Sequence, residues 1–212
     1  IQALWIAALL NLGGKKWNAL ADQATASLVR FFVRKDEVGG LYDCLDAPDG
    51  EPAAQATPDW GVRPNQLFAV SLGAFDALAP ARRQALERAV VRATARLVVP
   101  GGIRSLAADD ARYRGVYAGD EDTARKPAYH NGTVWAWPFP LYAEALVKTR
   151  LASKATARSL LASAVENLNA GCVCHMSEIA DGDAPHAQKG CRAQAWSVSE
   201  LLRVWLALAP DR

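Results

Sequence analysis

Residues 133–170, TVWAWPFPLYAEALVKTRLASKATARSLLASAVENLNA, carry the pattern on which the fold turns. Apolar residues recur at helical spacing on both sides of a short link, Arg150 to Ser153. This predicts one helix over about Thr133–Lys148 and another over Ala155–Ala170. So short a link makes the two helices antiparallel neighbours. Pro138 and Pro140 fall inside the first and are expected to kink it or delay its regular part. Working outward, the same periodicity predicts helices over Ile1–Leu12, about Trp17–Arg34 (ending before Gly39-Gly40), Arg63–Leu78, Pro80 to about Leu97, and Ala193–Leu208 (ending near Pro210). No segment alternates convincingly with period two, so no substantial sheet is expected. Short links, Leu78 to Pro80 and Arg150 to Ser153, alternate with long loops at 41–62, 100–131 and 171–192. Loops of that length in a compact domain are usually functional, and each precedes an odd-numbered helix. The expected class is all-α, about seven helices in antiparallel hairpins as part of an α/α toroid, with the loops gathered at one mouth. Seven helices are too few to close a toroid of six hairpins. The chain also opens on Ile1 within an apolar helix, so residues 1–212 are expected to be the C-terminal part of a single longer domain.

The bulk composition fits a globular chain. Of 212 residues, 51% are hydrophobic and 22% charged, enough apolar surface for a core. The 24 basic and 22 acidic residues nearly cancel, and no basic run points to nucleic acid. The apolar opening is too short to span a membrane and lacks the basic start of a signal peptide. Cys44, Cys172, Cys174 and Cys191 are expected to be buried reduced thiols. A zinc reading of Cys172, Cys174, His175 and Cys191 meets an unusual C-x-C spacing. Asp181-Gly182-Asp183 hints at a cation loop but lacks the rest of an EF-hand. No metal and no cofactor is expected.

Chemically suggestive residues cluster in the loops before the odd helices. Asp59, Arg63, Asn65 and Gln66 offer acceptors and donors of the kind sugar hydroxyls need, or alternatively a helix cap and a loop ion pair. Arg104, then Tyr129-His130-Asn131 and Trp135-Ala136-Trp137, add charge and aromatic rings, and such rings stack on sugar C–H faces. Two tryptophans two apart cannot share a helix face, so at least one is expected in the core. Glu178 stands among apolar residues in the last long loop, followed by His186 and Trp196. A carboxylate so placed suits acid–base work, or is an ordinary turn residue.

Three stretches, RPNQLFAVSL (63–72), YHNGTVWAWPFPLYAEAL (129–146) and SEIADGDAPHAQKGCRAQAWSVSELLRVW (177–205), resemble the amylo-α-1,6-glucosidase domain of glycogen debranching enzymes. IQALW (1–5) resembles a helix of that family just after its general acid. The likeness runs in order along essentially the whole chain, and a more distant one is to glucoamylase. The resemblance implies an (α/α)6 toroid that hydrolyses α-1,6-linked glucose with inversion. Glu178 would be the general base, and the general acid would be an Asp upstream of these residues. Asp59, Arg63, Gln66, Arg104, Tyr129, His130, Trp135, His186 and Trp196 would bind substrate. The implied partner is glycogen or a branched α-glucan oligosaccharide, with no nucleic acid and no membrane, in a cytoplasmic setting. The chain departs from the family where Ala136 replaces the Pro of Trp-Pro-Trp, and where Asn131 stands for a common Gln. Alternatives are a non-catalytic carbohydrate-binding or scaffold domain, and a metal-binding helical interaction domain.

Overall fold

The computed structural model describes residues 1–209 and divides into two compact units, Ile1–Gly61 with Asn65–Ala93, and Val62–Pro64 with Thr94 onward. The first unit is built on α1 (Gln2–Leu12) packed against α2 (Gly14–Ser27), with α3 (Leu67–Ser71) and α4 (Pro80–Thr94). Ile6, Leu9, Leu28, Leu67, Phe75 and Val90 form its buried core. The rest of α1 is nearly as apolar, and leaves Leu4, Trp5, Leu10 and Leu12 exposed. α2 loosens into a wide π-turn over Leu28–Phe32. Val33 is already extended, so the helix ends before the Gly39-Gly40 turn. The expected helix over 63–78 is shorter in fact: a 3-10 turn at Pro64–Gln66, then α3, then turns around Gly73. A short hairpin pairs β1 (Leu45–Asp46) with β2 (Thr57–Pro58).

The second unit packs α6 (Phe139–Lys148), α7 (Lys154–Val165) and α8 (Ala195–Ala207) on one another. The α6–α7 hairpin is the one expected across Arg150–Ser153, and Ser153 caps α7 by accepting from the Thr156 amide at 3.1 Å. Pro210, expected near the end of α8, lies outside the described residues. Beside these helices runs a five-stranded antiparallel sheet: β3 (Val98–Val99), β4 (Gly102–Arg104), β5 (Val134–Trp135), β6 (Ile179–Ala180) and β7 (Gln188–Lys189), adjacent in that order. Ile103 faces Trp135, Trp135 faces Ile179, and Ile179 faces Lys189 across the ladder. Leu97, Ile103, Leu106, Phe139, Leu161, Met176 and Ile179 are fully buried in this unit.

The all-α expectation is therefore corrected. The structure has eight α-helices among the described residues and two small antiparallel sheets. Each strand is two or three residues long, below the four to eight over which alternation can be recognised. The expected helix start at Thr133 is instead β5. Thr133, Val134 and Trp135 favour extended backbone, and regular helix begins only at Phe139, with Pro140 in its first turn, where its missing amide costs nothing. Two of the long loops, 100–131 and 171–192, thus contribute strands to one sheet, which brings the second and third chemical clusters together.

Candidate functional site

Glu178 immediately precedes β6 and is fixed from three sides. Its amide donates to the Cys191 carbonyl at 2.8 Å, extending the β6–β7 ladder. The Cys191 amide returns a hydrogen bond to Glu178 Oε2 at 3.1 Å. The Tyr129 hydroxyl donates to Glu178 Oε1. Burial and the neighbouring carboxylate push the Tyr129 phenol well above its ordinary value, so the hydroxyl remains protonated and donates.

Tyr129 ends α5 (Lys126–Tyr129). Its ring meets His130 and Trp135 edge-on, at centroid distances of 4.8 and 4.9 Å. His130 in turn lies parallel to Trp135 at 5.5 Å. Trp135 is buried, and its indole N–H is satisfied by the Tyr129 carbonyl and the Thr133 hydroxyl, so it backs the site. Arg63 clamps the same turn from behind, donating to the carbonyls of His130 (2.5 Å) and Ser105 (3.3 Å) and to Asn131 Oδ1 (2.8 Å). Desolvation, and secondarily the Arg63 charge, hold the His130 imidazole below its usual value. It is therefore neutral at pH 7 and has one donor and one acceptor nitrogen.

An open cleft of about 520 Å³ lies in front of Glu178, lined by Tyr117, Glu121, Arg125, Lys126, Tyr129 and His130. Of the residues singled out in the sequence, the structure gathers Glu178, Tyr129 and His130 on this cleft, with Trp135 and Arg63 supporting them. Arg104 donates from Nε to the Gly182 carbonyl at 2.9 Å, tying β4 to the loop after β6. Tyr113 adds a hydroxyl bond to Asp183 at 2.9 Å, and Asp181 accepts from the Tyr117 amide at 2.8 Å. Gly182 lets this loop close. A Cβ there would stand 2.2 Å from the Gly132 carbonyl oxygen. His186 hydrogen-bonds the Asp181 carbonyl through Nδ1 and lines a separate, smaller cavity with Ser177 and Gln188. Trp196 is half-exposed and stacked on Trp137, centroids 4.1 Å apart, outside the residues that line the Glu178 cleft. Asp59 and Gln66 belong to the first unit. Asp59 accepts from the Gly61 amide and buried Gln66 accepts from the Leu41 amide.

Sequence reasoning missed Glu121, Arg125 and Lys126. Their signal was available as Asp120 followed by Glu121 and Asp122, a helix-start pattern inside the long loop 100–131. The cysteines are exposed rather than buried, because all lie in turns and loops outside the packed faces. Among the described residues no three His, Cys, Asp or Glu side chains gather as a metal site requires. No helix among them is long and apolar enough to cross a membrane.

No curated protein matches the chain. Residues 1–203 match a family model described as amylo-alpha-1,6-glucosidase, a span that takes in Glu178, its two donors and every residue of the cleft. A match of that extent, over nearly the whole chain, places it in the amylo-alpha-1,6-glucosidase family.

Proposed function

We propose that Glu178 is the general base of an inverting glycosidase that removes α-1,6-linked glucose at the branch points of glycogen or a related α-glucan. In this reading residues 1–212 are the C-terminal part of one (α/α)6 toroid of a cytoplasmic debranching enzyme. The observation that carries the assignment is the clamp on Glu178. Tyr129 holds one carboxylate oxygen and the Cys191 amide holds the other, at the edge of a cleft open to water and substrate. A base for inversion must deprotonate a water on the face of the sugar opposite the leaving oxygen, while a second carboxyl protonates that oxygen. The clamp fixes the direction of the carboxylate lone pairs, which is what such a proton transfer needs. Following the family resemblance, we assign the second carboxyl to an Asp preceding Ile1 in the natural protein. Residues 1–212 alone are then expected to be inactive. Neutral His130, beside Tyr129 on the cleft, is suited to bonding a sugar hydroxyl, with Trp135 and Arg63 holding it in place. Asp59, Gln66, Arg104, His186 and Trp196 remain substrate-binding assignments on the resemblance alone.

The stereochemistry of the first product tests the proposal. The full-length protein, given a branched limit dextrin in an NMR tube, is expected to release β-glucose first, with α-glucose appearing only as mutarotation proceeds. Initial α-glucose would overturn the inverting mechanism. Absence of glucose would leave a binding or scaffold domain.

Tyr129→Phe isolates the clamp. The ring stays against His130 and Trp135 while one donor to Glu178 disappears. A hydrogen bond to a charged group is worth about 1.5–3 kcal/mol. Its loss is expected to lower melting temperature by several degrees, and turnover roughly tenfold through the lost orientation of the base, with KM little changed. Wild-type kcat in this variant would show that the hydroxyl does not position the base.

A further inference from the structure

One wall of the cleft is a single wide π-turn, Glu121–Arg125. Asp120 caps it, accepting from the amides of Asp122 and Thr123 (3.0 Å each) and from the Thr123 hydroxyl (2.9 Å). Its main-chain carbonyl accepts from the Arg125 amide at 2.9 Å. The turn runs directly into α5, whose last residue is Tyr129, so its side chains share a frame with the clamp on Glu178. Within it Lys126 is taken by Asp122 at 2.5 Å. Glu121 is left with long approaches only, 3.7 Å from Arg125 and 3.8 Å from Lys126, beyond hydrogen-bond reach. Arg125 Nε is shielded from solvent and has no acceptor. No water-sized group reaches that nitrogen, so the part of Arg125 that a ligand can meet is the rest of its side chain, 41% exposed, with the terminal Nη2 3.7 Å from Glu121.

We propose that Glu121 and Arg125 form a sugar-hydroxyl recognition pair in the Glu178 cleft, binding the branched α-glucan beside the bond that is cut. The inference rests on the reading of the cleft as a glucan site. The chemistry selects a neutral polyol. A hydroxyl both donates and accepts, so one hydroxyl, or two on adjacent ring carbons, can donate to Glu121 while accepting from Arg125. The gap of 3.7 Å between the two side chains leaves both with open valences for this. The cleft carries two carboxylates, Glu121 and Glu178, and two cations, Arg125 and Lys126, so its charges balance and favour no ion of either sign. Exposed ion pairs contribute little to stability, and with side-chain exposures of 41% and 63% this pair has little structural work to lose. Recognition of substrate is therefore the role that accounts for its arrangement.

The test is direct binding of a branched, α-1,6-linked maltooligosaccharide to the full-length protein, by calorimetry in a Glu178→Gln background that spares the ligand. Glu121→Gln and Arg125→Gln are each expected to weaken binding roughly tenfold. The double variant should lose less than the product of the two, because both act on the same hydroxyls. Circular dichroism and melting temperature should be unchanged, and Arg125→Lys should recover only part of the loss, having no fixed fork of donors. Unaltered affinity in both single variants would overturn the pair. Normal hydrolysis by Glu178→Gln alone would overturn the catalytic reading instead, and affinities for a sulfur-linked, uncleavable analogue of the same oligosaccharide would then judge Glu121 and Arg125.

Discussion

Glu178→Gln in the full-length protein is expected to lower kcat on a branched limit dextrin by about a hundred- to ten-thousand-fold, the range a positioned general base supplies. The fold should tolerate the change. Gln has the shape of Glu, and its amide can point its oxygen at the Cys191 amide and its NH2 at the Tyr129 hydroxyl. That hydroxyl can rotate from donor to acceptor, so neither partner is stranded. What the amide cannot do is take a proton from water. KM and melting temperature should thus remain near wild type while turnover collapses, and that separation distinguishes a lost base from a damaged site. A Glu178→Gln enzyme with near-normal kcat would remove Glu178 from the chemistry.

The helices of this chain were legible because their signals are local. The α6–α7 hairpin shows in the apolar spacing on either side of Arg150–Ser153 and in the Ser153 cap. α8 begins where Gln194 gives way to an apolar run, two residues beyond the expected start. The sheet was not legible. β5, β6 and β7 are two residues each, and the β5–β6 pairing joins segments more than forty residues apart. Pairing of that kind is decided by tertiary contact and leaves no periodicity in the chain. The same limit explains the helix expected at Trp135 and Trp137, although the expectation that at least one of them lies in the core holds for Trp135. Read as helical, they had to diverge; as a strand residue and a turn residue, one backs Tyr129 and the other stacks on Trp196.

The site divides in the same way. Glu178, Tyr129 and His130 were readable as residue types in suspicious company, and the structure places them on one cleft. Their coupling was not readable. The bond between Tyr129 and Glu178 spans 49 residues and depends on the sheet. Nor could spacing show that Arg63 serves the His130 turn through backbone carbonyls, since such a contact sets no demand on the partner's side chain. Glu121 and Arg125 were passed over for a related reason. A charged turn looks the same in sequence whether it faces bulk water or a cleft.

Gly190→Ala is expected to lower kcat by about a hundredfold, the cost of a displacement on the order of 1 Å at a reacting group. Gly190 sits between β7 and Cys191 at φ 68°, where an L side chain is strained. A Cβ added there would stand 2.6 Å from Glu178 Oε2 and 3.0 Å from Ile179 Cγ1. Ile179 is buried in β6 and cannot retreat, so the carboxylate must yield. Relieving the strain by turning the backbone would move the next amide, that of Cys191, which is the donor to the same oxygen. Both ways out therefore disturb the base. The left-handed conformation itself costs about 1–2 kcal/mol, or roughly 2–8 °C in melting temperature for a chain of this size. Gly50→Ala separates the two effects. Gly50 has φ 85° and nothing within 4 Å of an added Cβ, so that variant carries comparable backbone strain without touching Glu178. It should lose similar stability and keep wild-type turnover. If Gly190→Ala kept its turnover as well, the close approach of the glycine to Glu178 would have no part in holding the base.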